Sequence, residues 1–359
     1  MHTEPIIGWD LGGAHVKAAR LDAAGTVERV TQVPSPVWQG LDYLHRAVAQ
    51  VLAELGRAPL HAVTMTGEMA DVFPSRAVGV TQLAAALHER LAGAALLCYA
   101  GAHGWADVGE ATQMAPHIAS ANWLASATLV AAALPEALFV DIGSTTTDLV
   151  VVQDGRVLSR AGDDAQRLLA GELLYTGVVR TPVMTLAARV PFDGQWVPLM
   201  AEQFATAADV HRLTGRLPDD ADQHPAADGG AKNVAASARR LARMIGRDAE
   251  SAPLRAWERL AAWLARAQAR TIEDAWDRLL SREHLADDAP VAVAGVGRFV
   301  AAALAQSRGR PVVEFGALVS ARENERDRAS DSAPAVAVAW LARRAAVRGV
   351  PVGGAPPGG

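Results

Sequence analysis

The chain contains the same short pattern twice: an apolar run that ends in Asp-x-Gly, a turn of small or hydroxylated residues, and a second apolar run. The first copy carries Asp10, Gly12 and Gly13, and the second carries Asp141 and Gly143. Each copy predicts two strands joined by a turn in which glycine lets the backbone approach an anion. An aspartate at the strand end can hold the magnesium ion of that anion. The pair therefore predicts a phosphate and Mg²⁺ site, with Asp10 and Asp141 as metal ligands and catalytic residues.

Further candidate phosphate ligands follow each copy. Lys17 lies one strand after the first glycines and supplies a positive charge. Gly295 and Gly297 lie between a predicted strand and a predicted helix, where backbone N–H groups favour anions. The candidates in the second turn bear hydroxyl or carboxyl groups: Ser144, Thr145, Thr146, Thr147 and Asp148. The alternative is that these segments are two ordinary hairpins and a plain strand-to-helix turn.

Composition limits the classes of function. The 359 residues suggest about two domains at ~100–200 residues each, and 50% hydrophobic residues with 20% charged residues are typical of a chain with a buried core. A net charge of -5 argues against binding to nucleic acid or to an anionic membrane. The single cysteine, Cys98, excludes an intramolecular disulfide framework. Without a signal-peptide pattern or ~18 uninterrupted apolar residues, we expect a cytoplasmic protein.

Hydrophobic periodicity divides the chain into two halves. Residues 5–35 predict three strands and residues 41–55 a helix, and after Pro135 the strand pattern starts again. This weak repeat predicts two similar domains whose turns face a common cleft. Residues 215–232, rich in Pro, Asp and Gly, predict an exposed loop or lid. The expected divisions are an N-terminal domain 1–135, a second domain 136–348 and a flexible tail 349–359.

Four residues outside the two hairpins are candidates for catalysis or binding. Glu68 follows a predicted strand and is our first candidate for a general base, with Asp71 second; the alternative for Glu68 is to satisfy N–H groups at a helix start. Asn122 orients a substrate group or caps a helix. Arg180 clamps a phosphate or carboxylate, or forms a structural ion pair.

Other nucleophiles and metal ligands have less support. The histidines His15, His103 and His117 share no His-x-x-x-His or similar spacing with a carboxylate, which argues against a zinc or iron site. Cys98 lies in an apolar strand pattern, and no Gly-x-Ser-x-Gly segment occurs. Magnesium held by carboxylates and phosphate is therefore the expected metal.

The two Asp-x-Gly hairpins followed by Gly-x-Gly resemble the actin, sugar-kinase and chaperone ATPase superfamily. That resemblance implies an α/β actin-like ATPase (ribonuclease H-like) fold with two similar domains, each a mixed sheet flanked by helices, and a central cleft.

Longer segments resemble a narrower group: Thr-Gly-Glu-Met-Ala-Asp at 66–71, Ala-Asn-Trp at 121–123, Gly-Ser-Thr-Thr-Thr-Asp at 143–148, Gly-Glu-Leu-Leu-Tyr-Thr-Gly-Val-Val-Arg-Thr-Pro at 171–182 and Arg-Met-Ile-Gly-Arg-Asp at 243–248. Together these are similar to the hydantoinase/oxoprolinase-related family encoded with tetrahydromethanopterin-linked one-carbon metabolism, over about residues 6 to 319.

The resemblance implies a particular transferase. It joins (5-aminomethylfuran-3-yl)methyl diphosphate to the phenol of tyramine or γ-glutamyltyramine, releasing diphosphate, in methanofuran or methylofuran biosynthesis. On this interpretation Mg²⁺ is the cofactor, and ATP is possible but not required. Two alternatives stay open: an ATP-dependent hydrolase of a cyclic amide, and a non-catalytic, nucleotide-dependent regulatory protein. The sequence leaves undecided which phenol is accepted and whether the protein forms a homodimer.

Overall fold

The computed structural model describes residues 4–159, 162–282 and 285–347. Its strands are Ile6–Leu11 (β1), His15–Leu21 (β2), Val27–Pro34 (β3), Leu60–Met65 (β4), Ala95–Tyr99 (β5), Trp105–Ala106 (β6), Ala137–Ile142 (β7), Thr147–Gln153 (β8), Arg156–Leu158 (β9), Leu173–Leu174 (β10), Arg189–Phe192 (β11), Gln195–Pro198 (β12), Val291–Ala294 (β13) and Val312–Glu314 (β14). Its α-helices are Leu41–Leu55 (α1), Arg76–His88 (α2), Ala115–Ile118 (α3), Asn122–Ala133 (α4), Asp164–Ala170 (α5), Ala207–Leu213 (α6), Val234–Arg243 (α7), Leu254–Leu280 (α8), Arg298–Ser307 (α9), Arg326–Asp331 (α10) and Ala333–Val347 (α11). The expected tail, 349–359, lies outside the described residues.

The described residues form two compact units. Unit 1 contains the residues up to Ala137, the segment Val152–Leu158, and the residues from Val313 on. Unit 2 contains Leu138–Val151 and the described residues from Ser159 to Val312. We expected all of 136–348 to form the second domain, whereas the structure returns the chain to unit 1 at its C-terminal end.

A close contact between β1 and α11 explains this return. A Cβ on Gly8, in the middle of β1, would lie 2.1 Å from the carbonyl oxygen of Ala335 and 2.7 Å from Cβ of Ala339. Both alanines are fully buried. Glycine on the strand and alanine on the helix thus allow an approach that larger residues would block, which places α11 in unit 1.

The sheet of unit 1 brings three polar side chains together. Its strand order is β3-β2-β1-β4-β5-β6. Strand β1 is antiparallel to β2 and parallel to β4. Asp10 is in register with Lys17 on β2 and with Thr64 on β4. Residues in register on neighbouring strands face the same side of a sheet, so these side chains share one face at the carboxyl end of β1.

The sheet of unit 2 has a similar centre. Its order is β10-β8-β7-β13-β14, and β13 is parallel to β7 with Ala294 in register with Asp141. In both units the strand that carries the aspartate lies between its hairpin partner and a parallel strand from later in the unit. The predicted repeat is therefore visible in the strand order of the described residues.

The remainder of unit 2 packs around α8. Trp257 on α8 is buried and stacks on Phe192 of β11, with ring centroids 4.8 Å apart. Residues 215–232 contain no helix or strand. Ion pairs from Arg212 and Arg240 to Asp222 and Asp228 fix this loop to α6 and α7, and its role as a lid stays a prediction. None of the helices in the described ranges has the length and apolarity needed to cross a membrane.

Candidate active site

The two Asp-x-Gly turns close with the same hydrogen bond. In unit 1 the Gly12 N–H donates to the carbonyl oxygen of His15 at 2.9 Å. In unit 2 the Gly143 N–H donates to the carbonyl oxygen of Thr146, also at 2.9 Å. Each glycine lies two residues after its aspartate and each acceptor five residues after it, so the sequence repeat is also a repeat of backbone geometry.

Each turn is also bound to the segment after the neighbouring parallel strand. The carbonyl oxygen of Leu11 accepts from the N–H of Thr66 at 3.0 Å, and that of Ile142 accepts from the N–H of Gly297 at 2.8 Å. Both acceptors directly follow the aspartate. In unit 1 the end of β4 therefore lies against the Asp10 turn, and in unit 2 the end of β13 lies against the Asp141 turn.

Glycines at these contacts allow the backbones to meet. A Cβ on Gly67 would lie 3.0 Å from the Leu11 carbonyl oxygen. Gly295 has φ +80°, and a Cβ there would lie 2.2 Å from the Ile142 carbonyl oxygen and 2.5 Å from Oδ1 of Asp141. The structure thus brings the predicted Gly295 turn against the predicted metal ligand Asp141.

Asp10 is 7% exposed and Asp141 is half-buried. No group of three or more His, Cys, Asp or Glu side chains in the described ranges is arranged to hold a metal ion. Magnesium is usually held by one or two carboxylates together with substrate phosphates and water. A single carboxylate beside a glycine turn in each unit fits a magnesium–phosphate site and does not fit a metal centre built from protein ligands alone.

Lys17 contributes to packing in unit 1. Its Nζ donates to the carbonyl oxygen of Asp331 at 2.9 Å, at the C-terminal end of α10. A lysine at this end of a helix is favoured because the last carbonyl groups carry partial negative charge. The role of Lys17 at a phosphate stays a prediction.

Two of the expected ligands in the second turn are structural. Thr147 is fully buried and its hydroxyl donates to the carbonyl oxygen of Thr176 at 2.6 Å. Asp148 forms a buried ion pair with Arg167 at 2.8 Å. Both side chains stabilise the interior of unit 2. The prediction that they bind a phosphate is therefore wrong, and their role is structural. The remaining candidates in this turn are half-buried: Gly143, Ser144, Thr145 and Thr146.

Residues 175–182, the most specific part of the family resemblance, pack against the second Asp turn. The Val178 N–H donates to the Gly143 carbonyl oxygen at 3.1 Å, and the Arg180 N–H donates to the Ser144 carbonyl oxygen at 2.8 Å. A Cβ on Gly177 would lie 2.4 Å from the backbone nitrogen of Thr145. Residues 175–182 and the Asp141 turn therefore pack together as one compact part of unit 2.

Two arginines place positive charge at this turn. Nη1 of Arg180 lies 3.5 Å from Oγ1 of Thr145, and burial lowers the pKa of Arg180 while Tyr175 raises it. Nη1 of Arg298 donates to the Gly295 carbonyl oxygen at 3.4 Å. The sequence predicted Arg180, whereas Arg298 was missed although it directly follows Gly-x-Gly. Both can offer charge to an anion that binds at the turn.

A buried glutamine supports the motif from behind. Nε2 of Gln268, on α8, donates to Oγ1 of Thr176 at 2.9 Å and to the carbonyl oxygen of Gly177 at 2.8 Å. Its Oε1 lies 2.8 Å from Nε2 of His211 on α6. Burial lowers the pKa of His211, which favours a neutral ring that donates to the amide oxygen. The contact joins distant segments, so no local pattern indicated it.

We expect Gln268→Leu to lower the free energy of unfolding by about 2 kcal/mol, because Oγ1 of Thr176 and Nε2 of His211 are buried and lose the hydrogen bonds that Gln268 makes to them. Urea unfolding measures the change. The control is Gln50→Leu on α1, where the side chain is exposed and we expect a change below about 0.5 kcal/mol. Equal midpoints for the two variants would contradict a supporting role for Gln268.

Glu68 forms a buried cluster in unit 1. It lies in the 3₁₀ turn Gly67–Met69 between β4 and α2, and its side chain is 0% exposed. Oε1 accepts from Nη2 of Arg76 at 3.0 Å and from Oγ of Ser120 at 3.0 Å. Burial raises the pKa of Glu68, and the hydrogen bond and charge of Arg76 oppose this shift. A carboxylate with a raised pKa is suited to general-base chemistry.

The segment before α4 completes this cluster. Ala119 forms a parallel bridge with Met65 at the end of β4. The N-cap of α4 is Ala121, and Asn122 is a half-buried helical residue whose side chain makes no hydrogen bond to another described residue. Capping is therefore not its function in the structure. Asp71, the second candidate base, is exposed.

The remaining candidates from the sequence do not form a metal site or a nucleophile. The rings of His103 and His117 stack with centroids 3.6 Å apart, a contact that their spacing did not predict. His15 is buried on β2. Cys98 is 0% exposed, and burial raises its pKa to about 12. A thiol that stays protonated and inaccessible is a poor nucleophile.

Comparison with known proteins adds the family. The sequence signature of the hydantoinase/oxoprolinase family matches residues 60–344. A protein of Methanocaldococcus jannaschii named (4-{4-[2-(gamma-L-glutamylamino)ethyl]phenoxymethyl}furan-2-yl)methanamine synthase is 28% identical over 246 residues, which cover 68% of this chain and 72% of that protein. A protein of the same name from Methanococcus vannielii is 35% identical over 80 residues, 22% of this chain and 36% of that protein.

A solved structure has a similar fold. The nucleotide-free structure of acetone carboxylase, from a study of ATP-dependent acetone carboxylation, matches with a TM-score of 0.57 at 12% sequence identity. The match covers 94% of this chain and 70% of that chain. Together with the repeated strand order, this likeness confirms the predicted actin-like ATPase fold with two α/β units. The chain belongs to the hydantoinase/oxoprolinase family.

Proposed function

We propose that this protein is a transferase in methanofuran or methylofuran biosynthesis. It joins the methyl carbon of (5-aminomethylfuran-3-yl)methyl diphosphate to the phenol oxygen of tyramine or γ-glutamyltyramine and releases diphosphate. One observation carries the proposal: residues 175–182, the segment most specific to the family resemblance, fold directly onto the Asp141 turn. The named relatives support the same product, since their name contains a phenoxymethylfuran group.

The Asp141 turn is suited to a leaving diphosphate. As the carbon–oxygen bond to diphosphate breaks, negative charge develops on the leaving group, and the guanidinium groups of Arg180 and Arg298 stabilise it. Asp141 would hold Mg²⁺ at this turn, and the ion would supply further charge neutralisation. Asp10 is the corresponding candidate ligand in unit 1. The furan ring stabilises the positive carbon. Stabilisation of the leaving group is therefore the main catalytic contribution that we assign to unit 2.

Glu68 is the base in this proposal. A phenol has an unperturbed pKa of about 10 and is a poor nucleophile while protonated at neutral pH. A buried carboxylate with a raised pKa accepts a proton more readily than an exposed one. We therefore expect turnover to rise with pH through a pKa above the ordinary range of a glutamate, as Glu68 becomes ionised.

We expect Glu68→Gln to lower turnover about 100-fold without lowering the melting temperature. The folded-state pKa of Glu68 is raised by burial, so its charged form destabilises the folded protein above the unfolded-state pKa, and removing the charge relieves that cost. Initial rates and thermal unfolding measure the two effects. The control is Glu89→Gln at the exposed end of α2, which should retain both. Full activity of Glu68→Gln would exclude Glu68 as the base.

The decisive experiment tests ether formation directly. The protein is incubated with the furan diphosphate, Mg²⁺ and either tyramine or γ-glutamyltyramine, with and without ATP. Mass spectrometry follows the ether, and a coupled assay follows diphosphate. We expect equal amounts of both products without ATP. No ether from either phenol would overturn the proposal, and ATP hydrolysis stimulated by a cyclic amide would favour the hydrolase alternative instead.

A further inference from the structure

The carboxylate of Glu68 has no direct route to a substrate. Its side chain is 0% exposed. Oε2 is buried and has no hydrogen-bond partner among the described residues, while Oε1 is bound by Arg76 and Ser120. A proton from a bound phenol therefore reaches this carboxylate through one of the two side chains on Oε1.

The chemistry of these two partners differs. The guanidinium of Arg76 has hydrogen-bond donors and no acceptor, so it cannot take up a proton. The hydroxyl of Ser120 both accepts and donates. Its Oγ lies 3.0 Å from Oε1 of Glu68 and 2.6 Å from Nη2 of Arg76. Of the two partners of Oε1, Ser120 alone can pass a proton to the carboxylate.

The backbone at Ser120 is strained. Its φ is +52°, in the left-handed region that favours glycine. Such a conformation at a non-glycine residue costs on the order of 1–3 kcal/mol and persists where the surrounding structure holds it. The adjacent bridge between Ala119 and Met65 fixes the segment beside Glu68. A glycine would relieve the strain, so replacing Ser120 by glycine removes the hydroxyl without adding a conformational cost.

We propose that Ser120 is a catalytic residue that relays the phenolic proton of the acceptor to Glu68. The inference rests on the proposed function. The phenol O–H bond breaks as a new O–H bond forms at Oγ of Ser120, and the original Ser120 proton moves to Oε1 of Glu68. The phenol oxygen forms the ether bond to carbon, and diphosphate leaves with the electron pair of the broken bond. Protonated Glu68 later returns its proton to solvent.

Two variants test the relay. Ser120→Ala removes the hydroxyl and keeps the strain, whereas Ser120→Gly removes both. We expect each to lower single-turnover ether formation about 100-fold, and Ser120→Gly to match or exceed the melting temperature of the wild type because glycine tolerates this φ. The matched control is Asp193→Gly, at φ +52° in the exposed hairpin turn of unit 2. It should retain full activity.

Two further measurements separate a relay from a structural role. In mixtures of H₂O and D₂O, a relay gives a curved dependence of the single-turnover rate on deuterium content in the wild type, because two protons move together. Carboxyl NMR of protein labelled at glutamate, with Glu68→Gln for assignment, should show a higher Glu68 pKa in Ser120→Gly because a stabilising hydrogen bond is lost. A linear isotope dependence, or wild-type rates in both Ser120 variants, would overturn the relay while leaving the proposed function intact. Absence of ether from the wild type would overturn both.

Discussion

Replacing Asp141 by asparagine should lower ether formation about 1,000-fold or more while the protein stays folded. Asparagine has nearly the same shape, so it fits against Gly295, where even a Cβ atom would lie only 2.5 Å from the Asp141 oxygen. The lost charge removes the carboxylate that we assign to magnesium, and single electrostatic groups of this kind contribute about 10²–10³ in rate, with more when a metal is lost. Steady-state kinetics across a magnesium titration, together with thermal unfolding, measure the effect.

Asp148→Asn, in the same hairpin, is the matched comparison and should behave oppositely. Asp148 pairs with Arg167, whose side chain is 2% exposed. Burial raises the pKa of Asp148, as it does that of Glu68. The two cases differ in the arginine, because the side chain of Arg76 is 37% exposed and reaches solvent. The guanidinium of Arg167 stays buried when the Asp148 carboxylate is removed, which costs about 3–5 kcal/mol. We expect a large loss of stability and, at temperatures where the variant is folded, near wild-type turnover. If Asp141→Asn kept full turnover, the second hairpin would be structural only.

Gly177→Ala should destabilise unit 2 by about 3 kcal/mol or more. The added methyl group would lie 2.4 Å from the Thr145 nitrogen and 2.6 Å from the Gly143 carbonyl oxygen. Both are backbone atoms, so no side-chain rotation relieves the clash, and the motif must move away from the Asp141 turn. Denaturant unfolding reports the lost stability, and the ether assay reports loss of the geometry that places Arg180.

Gly162→Ala is the control for this prediction. Its Cβ would make an ordinary contact of 3.6 Å with the flexible side chain of Gln166, so unfolding should change by less than about 0.5 kcal/mol. A Gly177→Ala variant as stable and active as Gly162→Ala would show that the close packing of the motif on the turn is not required.

Local patterns predicted much of the fold. The helix expected over residues 41–55 has those bounds in the structure, because apolar residues at helical spacing face a core formed nearby. The Asp-x-Gly repeat predicted the two hairpins, since glycine and strand alternation are read within a dozen residues. Gly8 also carried a signal, because a glycine inside a strand often marks close approach of another backbone.

Long-range contacts could not be predicted in this way. Ser120 joins Glu68 across 52 positions, and Gln268 joins Gly177 across 91. Asp148 matched the phosphate pattern by position, yet its strand alternation directs it to Arg167 in the interior. Periodicity shows which side of an element is buried, but not which distant side chain it meets there.

The contact between α11 and β1 has a consequence for biosynthesis. Strand β1 is made before unit 2, and the helix that covers its Gly8 is made after unit 2. Unit 2 can therefore complete its core while the central strand of unit 1 still lacks its cover. During translation, the strands of unit 1 that precede unit 2 therefore depend on a helix that is made after it.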